Sequence, residues 1–311
     1  MKIVGIGETV LDIIFREDMP QAAVPGGSTF NALISLGRTV GRDFPEVPVM
    51  MVTEVGDDHV GDIVVSFMER NQVGTSAVTR NRGTQSHISL AFLDAHNDAH
   101  YEFYKDHASA SLSDDRLGGV AFAEGDLVLF GSFFAINPRI RPQVGGMLRA
   151  AHDAGAFLYY DINFRPSHLV DLPETMGNIE ENCRLSDVVR GSSEDFGYLF
   201  GTTDPSVIYH EHISRLCPYF ICTCGADPVE VFTPSLHLSL PVEPIETVST
   251  VGAGDNFNAG FLYGLLRNRL TGGFTSEQDE SEWRKIVATA THFSACACRS
   301  VLNYVDEDFR P

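Results

Sequence analysis

Short apolar runs alternate with longer amphipathic stretches along most of the chain, and this alternation restricts the fold more than any other feature. Seven runs have the length and composition of buried strands: KIVGIG, VPVMMVTEV, DLVLFG, AFLYYDIN, DVVRGS, YFICTC and VEVFT. Between them lie stretches with apolar residues three and four apart, as in helices: FNALISLGRTVG, DIVVSFMERNQ, RPQVGGMLRAAHDAG and NFNAGFLYGLLRNRL. The alternation predicts an α/β fold with a doubly wound, mostly parallel sheet.

Two segments interrupt this alternation. HISLAFLDAHNDAHYEFYKDH contains two runs of period two around a polar turn, and IIFREDMPQAAV is a further extended stretch. We expect these insertions, about 13–25 and 85–107, to form a small antiparallel β-lid. No internal repeat or Pro-rich linker separates them from the rest, so residues 1–311 are predicted to form one domain.

Charge and hydropathy exclude several classes of protein. The formal net charge of −20 over 311 residues opposes binding to nucleic acid, which depends on clustered Lys and Arg. No apolar run approaches the roughly 18 residues of a membrane span, and the start lacks the apolar segment of a signal peptide. We therefore predict a cytoplasmic protein that binds neither nucleic acid nor membrane.

The stretch STVGAGDNFNAGFLYGLL, residues 249–266, carries the strongest chemical signal. Glycines and an acid stand where an extended segment meets an amphipathic helix. Small residues there allow backbone N–H groups to close around an anion at the helix N-terminus, and Asp255 would be placed to accept a proton. An ordinary glycine-rich turn, with an Asp that favours the helix dipole, explains the same residues equally well.

Two further stretches make the pattern specific. GAGDNFNAGF resembles the C-terminal signature of the PfkB, or ribokinase-like, carbohydrate kinases, while GGSTFNALISLGRTVG and VGDDHVGD resemble the companion signature of the N-terminal half. Together they span nearly the whole chain in the expected order. The resemblance implies a three-layer α/β/α sandwich with a central, mostly parallel sheet and a small β-sheet lid over a sugar.

The resemblance also assigns roles to individual residues. It makes Asp255 the catalytic base and the backbone of Gly252, Ala253 and Gly254 the anion hole. The residues that it assigns to the sugar in the N-terminal half are Asp12, Gly26, Gly27 and Asn31. On its own, Asp12 would be read more readily as a solvated or capping acid.

DINFRP resembles the DxNxR element of fructokinase-like and 2-keto-3-deoxygluconate-kinase-like members. Asp161 and Asn163 would then face the reaction centre, and Arg165 would offset charge on the transferring phosphate or on an acidic sugar, with a structural salt bridge as the alternative. Tyr104 and Lys105, in the second lid strand, are further candidates for the sugar, although an exposed edge lysine is nearly as good a reading.

The nucleotide would be ATP, held without a P-loop because the chain has no GxxxxGK[ST] sequence. CTCGADPVEVF resembles the segment of the nucleotide site after a late strand, which makes Thr223, Gly225 and Ala226 candidates for phosphate or adenosine contacts. His292 falls in the helix that lines the adenine pocket in this family; a satisfied surface histidine is an equal alternative.

The chain departs from the family at three places. Many members organise Mg²⁺ with an NxxE element, where this chain has Ser192 followed by Glu194 and Asp195, so these residues are the candidates for nucleotide and water-mediated Mg²⁺ contacts. Ser249 replaces an Asp found in members activated by a monovalent cation, and we do not expect such activation. Pro228 stands where the nucleotide loop usually has Gly, so that loop is predicted to be reshaped.

The resemblance implies transfer of the γ-phosphoryl group of ATP to a sugar hydroxyl, with a fructose-like ketose favoured. A nucleoside kinase of the same fold remains an alternative, and so does a catalytically silent sugar-binding or regulatory member. A lid sheet with open edges also predicts a homodimer in which the lids pair.

Overall fold

Two β-sheets organise this computed structural model, which describes residues 1–93, 99–104, 120–270, 280–300 and 302–311. The larger sheet has ten strands within the described residues, and the smaller has four. All seven predicted strands are present in the larger sheet. It consists of β1 (Ile3–Ile6), β4 (Val49–Gly56), β5 (Val73–Gly74), β6 (Val78–Asn81), β9 (Leu127–Gly131), β10 (Phe157–Asp161), β11 (Val188–Ser192), β12 (Phe220–Cys224), β13 (Asp227–Phe232) and β14 (His237–Leu240).

The larger sheet is mostly parallel, as predicted. Its strands follow the order β14-β13-β12-β11-β10-β9-β1-β4-β5, with β6 beside β4. Among the described strands of this sheet, only the pairs β12–β13 and β13–β14 are antiparallel. The central strands β1, β9 and β10 are buried at every position because helices cover both of their faces.

The smaller sheet is built from the two predicted insertions. Its strands are β2 (Val10–Arg16), β3 (Met19–Gly26), β7 (Ile88–Leu93) and β8 (Ala99–Tyr104), in the order β3-β2-β7-β8. The hairpins β2–β3 and β7–β8 are antiparallel, but β2 and β7 are parallel. The prediction of an antiparallel lid is therefore corrected at its centre, because the long connection between the hairpins lets the second one enter in the same direction.

Helices flank the larger sheet. They are α1 (Ser28–Asp43), α2 (His59–Arg70), α3 (Ser132–Ile136), α4 (Arg141–Asp153), α5 (Leu172–Leu185), α6 (Ser193–Phe200), α7 (Pro205–Val207), α8 (Ala253–Arg267) and α9 (Glu280–Cys298), with a 3₁₀ helix at Pro166–Asp171 and a π-helix at Ile208–Ile213. Two apolar clusters, one on each side of the sheet, form the core. Among the described residues, no helix is both long enough and apolar enough to cross a membrane.

The parallel strands bring their carboxyl ends to one edge of the larger sheet. The DINFRP segment begins at Asp161, the last residue of β10, while Ser192 ends β11 and Thr223 lies near the end of β12. The first helices of the two signature stretches, α1 and α8, pack against each other. This packing joins residues from the two ends of the chain.

Candidate active site

Helix α8 begins at the glycine turn that the sequence singled out. Gly252 precedes the helix with a φ of +79°, and a Cβ there would lie 2.7 Å from the carbonyl oxygen of Asn303. The side chain of Asn256 donates to the carbonyls of Gly252 and Asn303, at 2.8 and 2.9 Å. The turn therefore requires glycine on two grounds, and it is fixed to the C-terminal segment.

The backbone N–H groups at the start of α8 differ in whether they are free to bind an anion. The N–H of Ala253 donates to the carbonyl of Thr250 at 3.2 Å, so the turn itself uses this predicted anion-hole amide. Gly254 and Asp255 follow inside the first turn, where N–H groups have no acceptor within the helix. These two amides can therefore donate to an anion at this terminus, whereas the amide of Ala253 is already engaged.

Asp255 lies partly buried in that first turn, where Asn31 contacts it from α1. The Asn31 side-chain amide donates to Oδ2 of Asp255 at 2.8 Å. Burial raises the pKa of Asp255 to about 6; the hydrogen bond from Asn31 opposes this rise, Asp161 adds to it, and Arg165 and Arg190 oppose it. A carboxyl with this pKa is ionised at neutral pH and can still accept a proton.

Asp12 projects from β2 on the side of the smaller sheet. It is buried, and the hydroxyl of Ser89 on the neighbouring strand β7 donates to its carboxylate. Burial raises the pKa of Asp12 to about 6, against the effect of that hydrogen bond. A Cβ on Gly26 would collide with the same carboxylate, and one on Gly27, whose φ is +121°, would collide with the Glu8 carbonyl. Both glycines thus permit a close approach of the backbone.

The second lid strand does not bring Tyr104 to Asp12. Asp12 pairs with Ser89, whereas Tyr104 pairs with Ile88, one residue out of step. Because successive side chains alternate between faces, Tyr104 and Asp12 lie on opposite faces of the smaller sheet. Tyr104 is 58% exposed, and its hydroxyl lies 3.4 Å from Glu102. Lys105 lies outside the described residues.

The DINFRP segment contributes three residues at three different depths. Asp161 is only 2% exposed, and its two carboxylate oxygens accept from Arg190 at 2.9 Å and from Asn258 at 2.7 Å. The structure therefore places Asp161 behind the surface of the site, whereas the sequence predicted that it would face the reaction centre. Arg165 is exposed at the surface, near enough for its charge to lower the pKa of Asp255.

Asn163 marks a strained point between two strand ends. Its φ is +36°, and that of Ser132, directly after β9, is +54°. The Asn163 amide donates to the hydroxyl of Ser132 at 2.8 Å. Non-glycine residues at positive φ are uncommon and concentrate at functional sites, which agrees with the assignment of this edge to the site.

Arg190, which the sequence analysis did not identify, connects the ends of strands β10 and β12 to the first turn of helix α8. It lies in β11, is 6% exposed, and donates to Asp161 at 2.9 Å and to the hydroxyl of Thr223 at 2.6 Å. Its guanidinium also lies against Gly254, where a Cβ would come within 2.9 Å of it. The only signal in the sequence is a cation inside the otherwise apolar strand DVVRGS.

The candidate nucleotide residues lie beyond Thr223. Gly225, with a φ of +64°, and Ala226 form the two-residue connection between β12 and β13. The pairing of these strands shifts register between Cys222 and Cys224, and Pro228 is the second residue of β13, directly after this connection. His292 is exposed; its ring lies 5.0 Å from that of Phe309, and its Nε2 lies 3.3 Å from the Arg310 carbonyl. These are the contacts of a surface histidine.

The acids proposed for Mg²⁺ are largely engaged by the protein. Asp195 closes a capping box with Ser192: its carboxylate accepts from the Ser192 N–H at 2.7 Å, and its own N–H donates to the Ser192 hydroxyl at 3.1 Å. Glu194 is exposed and accepts from Tyr198 at 3.0 Å. Across the described ranges no three His, Cys, Asp or Glu side chains converge to hold a metal. The residues fit a water-mediated contact to a metal that arrives with the nucleotide, not a protein cage.

Solved structures define the class of the fold. A fructokinase from Vibrio cholerae O395, bound to fructose, ADP and a calcium ion, gives a TM-score of 0.80 at 21% identity, covering 97% of this chain and 94% of that one. An aminoimidazole riboside kinase from Salmonella enterica, complexed with aminoimidazole riboside and an ATP analogue, gives 0.78 at 20% identity, covering 96% and 94%. The chain therefore has the ribokinase-like fold.

The family follows from the sequence match. Residues 2–306 match the model described as "pfkB family carbohydrate kinase", so the chain belongs to this family of carbohydrate kinases. Among its relatives, a fructokinase from Rhizobium leguminosarum bv. trifolii is 27% identical over 297 residues, covering 91% of this chain and 85% of the relative. Fructokinase-2 from Solanum lycopersicum is 24% identical over 312 residues, covering 96% and 89%.

Proposed function

We propose that this protein transfers the γ-phosphoryl group of ATP to a hydroxyl of a fructose-like ketose, with Asp255 as the base. The observation that carries the proposal is the 2.8 Å contact between the Asn31 amide and the Asp255 carboxylate. It joins the glycine turn assigned to the sugar to the helix terminus assigned to the phosphoryl group, so that acceptor and donor substrates would meet at one carboxylate.

The reaction is an in-line displacement at phosphorus. Asp255 accepts the proton of the attacking sugar hydroxyl while the oxygen of that hydroxyl forms a bond to the γ-phosphorus. The bond from that phosphorus to the bridging oxygen breaks, and ADP leaves with the electron pair. The N–H groups of Gly254 and Asp255 and the charge of Arg165 would stabilise the developing negative charge.

The sugar would lie between the smaller sheet and α1. Asp12 offers two acceptor oxygens for neighbouring hydroxyls, and Gly26 and Gly27 leave room for the ring to approach the backbone. Asn31 Oδ1 is buried without a hydrogen-bond partner among the described residues. A sugar hydroxyl that donates a hydrogen bond to this oxygen would satisfy it. Without a sugar, the buried oxygen lacks a partner, and this costs free energy.

The nucleotide would enter at the other end of the same edge. Thr223, Gly225 and Ala226 would contact its phosphates, and Ser192 would line the same region. The substrate form would be Mg·ATP, in which the metal screens phosphate charge; Glu194 and Asp195 would reach it only through water.

The choice of a ketose rests on two supports. The DINFRP segment resembles the fructokinase-like members, and the relatives reported above by sequence are fructokinases. A few side chains decide specificity within such pockets, so the substrate requires direct assay.

The assay is ADP release from Mg·ATP across ketoses, aldoses, sugar acids, inositols and nucleosides, with Asp255→Asn as the matched control. We expect turnover with fructose or a close ketose that Asp255→Asn loses. Turnover only with a nucleoside would show that the acceptor is a nucleoside and not a ketose. Binding of a sugar without any turnover would indicate a catalytically silent sugar-binding protein instead.

We also propose a homodimer formed through the smaller sheet. Residues 19–23 of β3 are all exposed, and β3 is an outer strand of that sheet. Met19 is 63% exposed. Pairing of two such sheets would cover this edge. Light scattering coupled to size exclusion should give about twice the 34.1 kDa mass of the chain, and Met19→Lys should lower it; a wild-type mass of one chain would refute the dimer.

A further inference from the structure

Arg190 is a buried cation whose contacts connect strands β10, β11 and β12 to helix α8. It donates to Asp161 on β10 and to Thr223 on β12, and its guanidinium centre lies 5.7 Å from the ring centroid of Phe257 on α8. Breaking a buried ion pair by removing one partner is costly, because the other charge stays buried and unpaired. The contacts therefore hold three strand ends and the helix terminus in a fixed arrangement.

Two sources of positive potential meet at this point. One is the guanidinium of Arg190, in contact with Gly254; the other is the N-terminus of α8, which carries the positive end of the helix dipole. Arg190 Nε is buried and has no hydrogen-bond partner among the described residues. Positive charge directed at one place favours an anion there, and the net charge of −20 gives the chain little other means to attract one.

We propose that Arg190 is a positioning residue for phosphoryl transfer, which fixes Thr223 and Asp161 beneath the first turn of α8 and supplies positive charge behind the anion hole. The inference rests on the proposed function, because it requires Asp255 to act as base. It adds a residue to which neither the sequence motifs nor the resemblance assigned a role.

The charges around Asp255 make the inference measurable. Among the described residues, four groups act on its carboxyl: Asn31 from α1 through a hydrogen bond, and Asp161 from β10, Arg165 after β10 and Arg190 from β11 through their charges. Asp161 raises the pKa of Asp255, whereas both arginines lower it. Removal of the Arg190 charge should therefore raise this pKa, and removal of the Asp161 charge should lower it.

The experiment measures kcat between pH 5 and 8 with the sugar that the wild-type protein phosphorylates. We expect Arg190→Met to move the acid limb to higher pH and to lower kcat by about 10²-fold, Asp161→Asn to move the limb to lower pH, and Arg190→Lys to keep the limb while losing part of kcat. Arg184→Met, at an exposed arginine paired with Glu180 on α5, is the matched control and should behave as wild type.

A second comparison protects the test against misfolding. If Arg190→Met does not fold, the effect of Arg190 is measured between Asp161→Asn and the double variant Asp161→Asn/Arg190→Met, which buries no unpaired charge. The limb of the double variant must lie at higher pH than that of Asp161→Asn.

Calorimetry with Mg·ADP gives a readout that needs no turnover. Loss of Arg190 releases Thr223, so Arg190→Met, or the double variant relative to Asp161→Asn, should bind Mg·ADP more weakly. An unmoved acid limb and unchanged Mg·ADP affinity in folded Arg190→Met, or in the double variant relative to Asp161→Asn, would overturn the inference while the kinase stands. A wild-type protein that phosphorylates no compound would instead overturn the proposed function.

Discussion

The side-chain amide of Asn31 donates a 2.8 Å hydrogen bond to the carboxylate of Asp255, 224 residues further along the chain. The contact forms because α1 and α8 pack side by side and begin at the same end of the site. It means that a residue in the first turn of α1 favours the ionised form of the proposed base, against the effect of burial.

Asn31→Ala should raise the pKa of Asp255 above about 6, because the hydrogen bond that favours the carboxylate is lost. The acid limb of kcat/KM should move to higher pH, and kcat/KM at neutral pH should fall by about 10- to 100-fold, as for loss of a hydrogen bond to a charged group. Asn268→Ala, at the other end of α8, is the control. An acid limb that stays in place would show that Asn31 does not act through Asp255.

Gly252→Ala should lose activity and destabilise the fold. The residue has a φ of +79°, and an added Cβ would press on the Asn303 carbonyl. Strain of this kind costs about 1–3 kcal/mol. Gly146→Ala is the matched control: it lies inside α4 with nothing within 4 Å of the added Cβ, and should stabilise the helix by about 0.5–1 kcal/mol. Urea unfolding measures the free energy of unfolding of both variants. Equal stability of Gly252→Ala and Gly146→Ala would contradict the requirement for glycine at position 252.

Asp12→Asn should raise the free energy of unfolding at pH 7.5. The folded pKa of Asp12 is about 6, above its ordinary value of 3.8, so the folded state binds its proton more tightly than the unfolded state. Its contribution to stability is complete below about pH 4 and is lost as pH rises through 6. A neutral amide avoids this loss, on the order of 1–3 kcal/mol.

The gain from Asp12→Asn should shrink at pH 5.5, where much of the wild-type carboxyl is already protonated. Asp57→Asn, at an exposed carboxyl, controls for the change in net charge. The same variant should bind sugar more weakly, so that stability and affinity change in opposite directions. Stability that is unchanged at pH 7.5, or a gain of equal size at both pH values, would contradict the burial argument.

The sequence predicted the strands of the larger sheet well because these strands are short, apolar and β-branched. It did not predict β5, β6 or β14, which have two, four and four residues and too little pattern to separate from loops. It also described residues 13–25 as one extended stretch, although the structure turns there into the hairpin β2–β3. Glu17 and Asp18 make that turn at φ values of +50° and +60° without the glycine that normally signals it.

The site residues also fall into two groups: those that a contiguous sequence motif indicates, and those that only the folded chain brings together. Asp255, Gly252 and Asn31 were identified because they lie in contiguous motifs at a helix terminus or a glycine turn. Arg190 and its ion pair with Asp161 were not, since the partners are 29 residues apart and only the parallel pairing of β10 and β11 brings them together. The faces of β-strands were equally hidden: the offset that separates Tyr104 from Asp12 depends on a register that only the folded sheet shows.

Phosphorus-31 NMR of wild-type protein with Mg·ATP and fructose, beside Asp255→Asn, tests whether Asp255 is the base of a sugar kinase. We expect that the wild type converts the γ-phosphate signal into a sugar phosphomonoester, and that Asp255→Asn, correctly folded, slows this by about 10²- to 10⁴-fold. Formation of the phosphomonoester at the wild-type rate by Asp255→Asn, or release of inorganic phosphate alone by the wild type with fructose and every other acceptor, would contradict it.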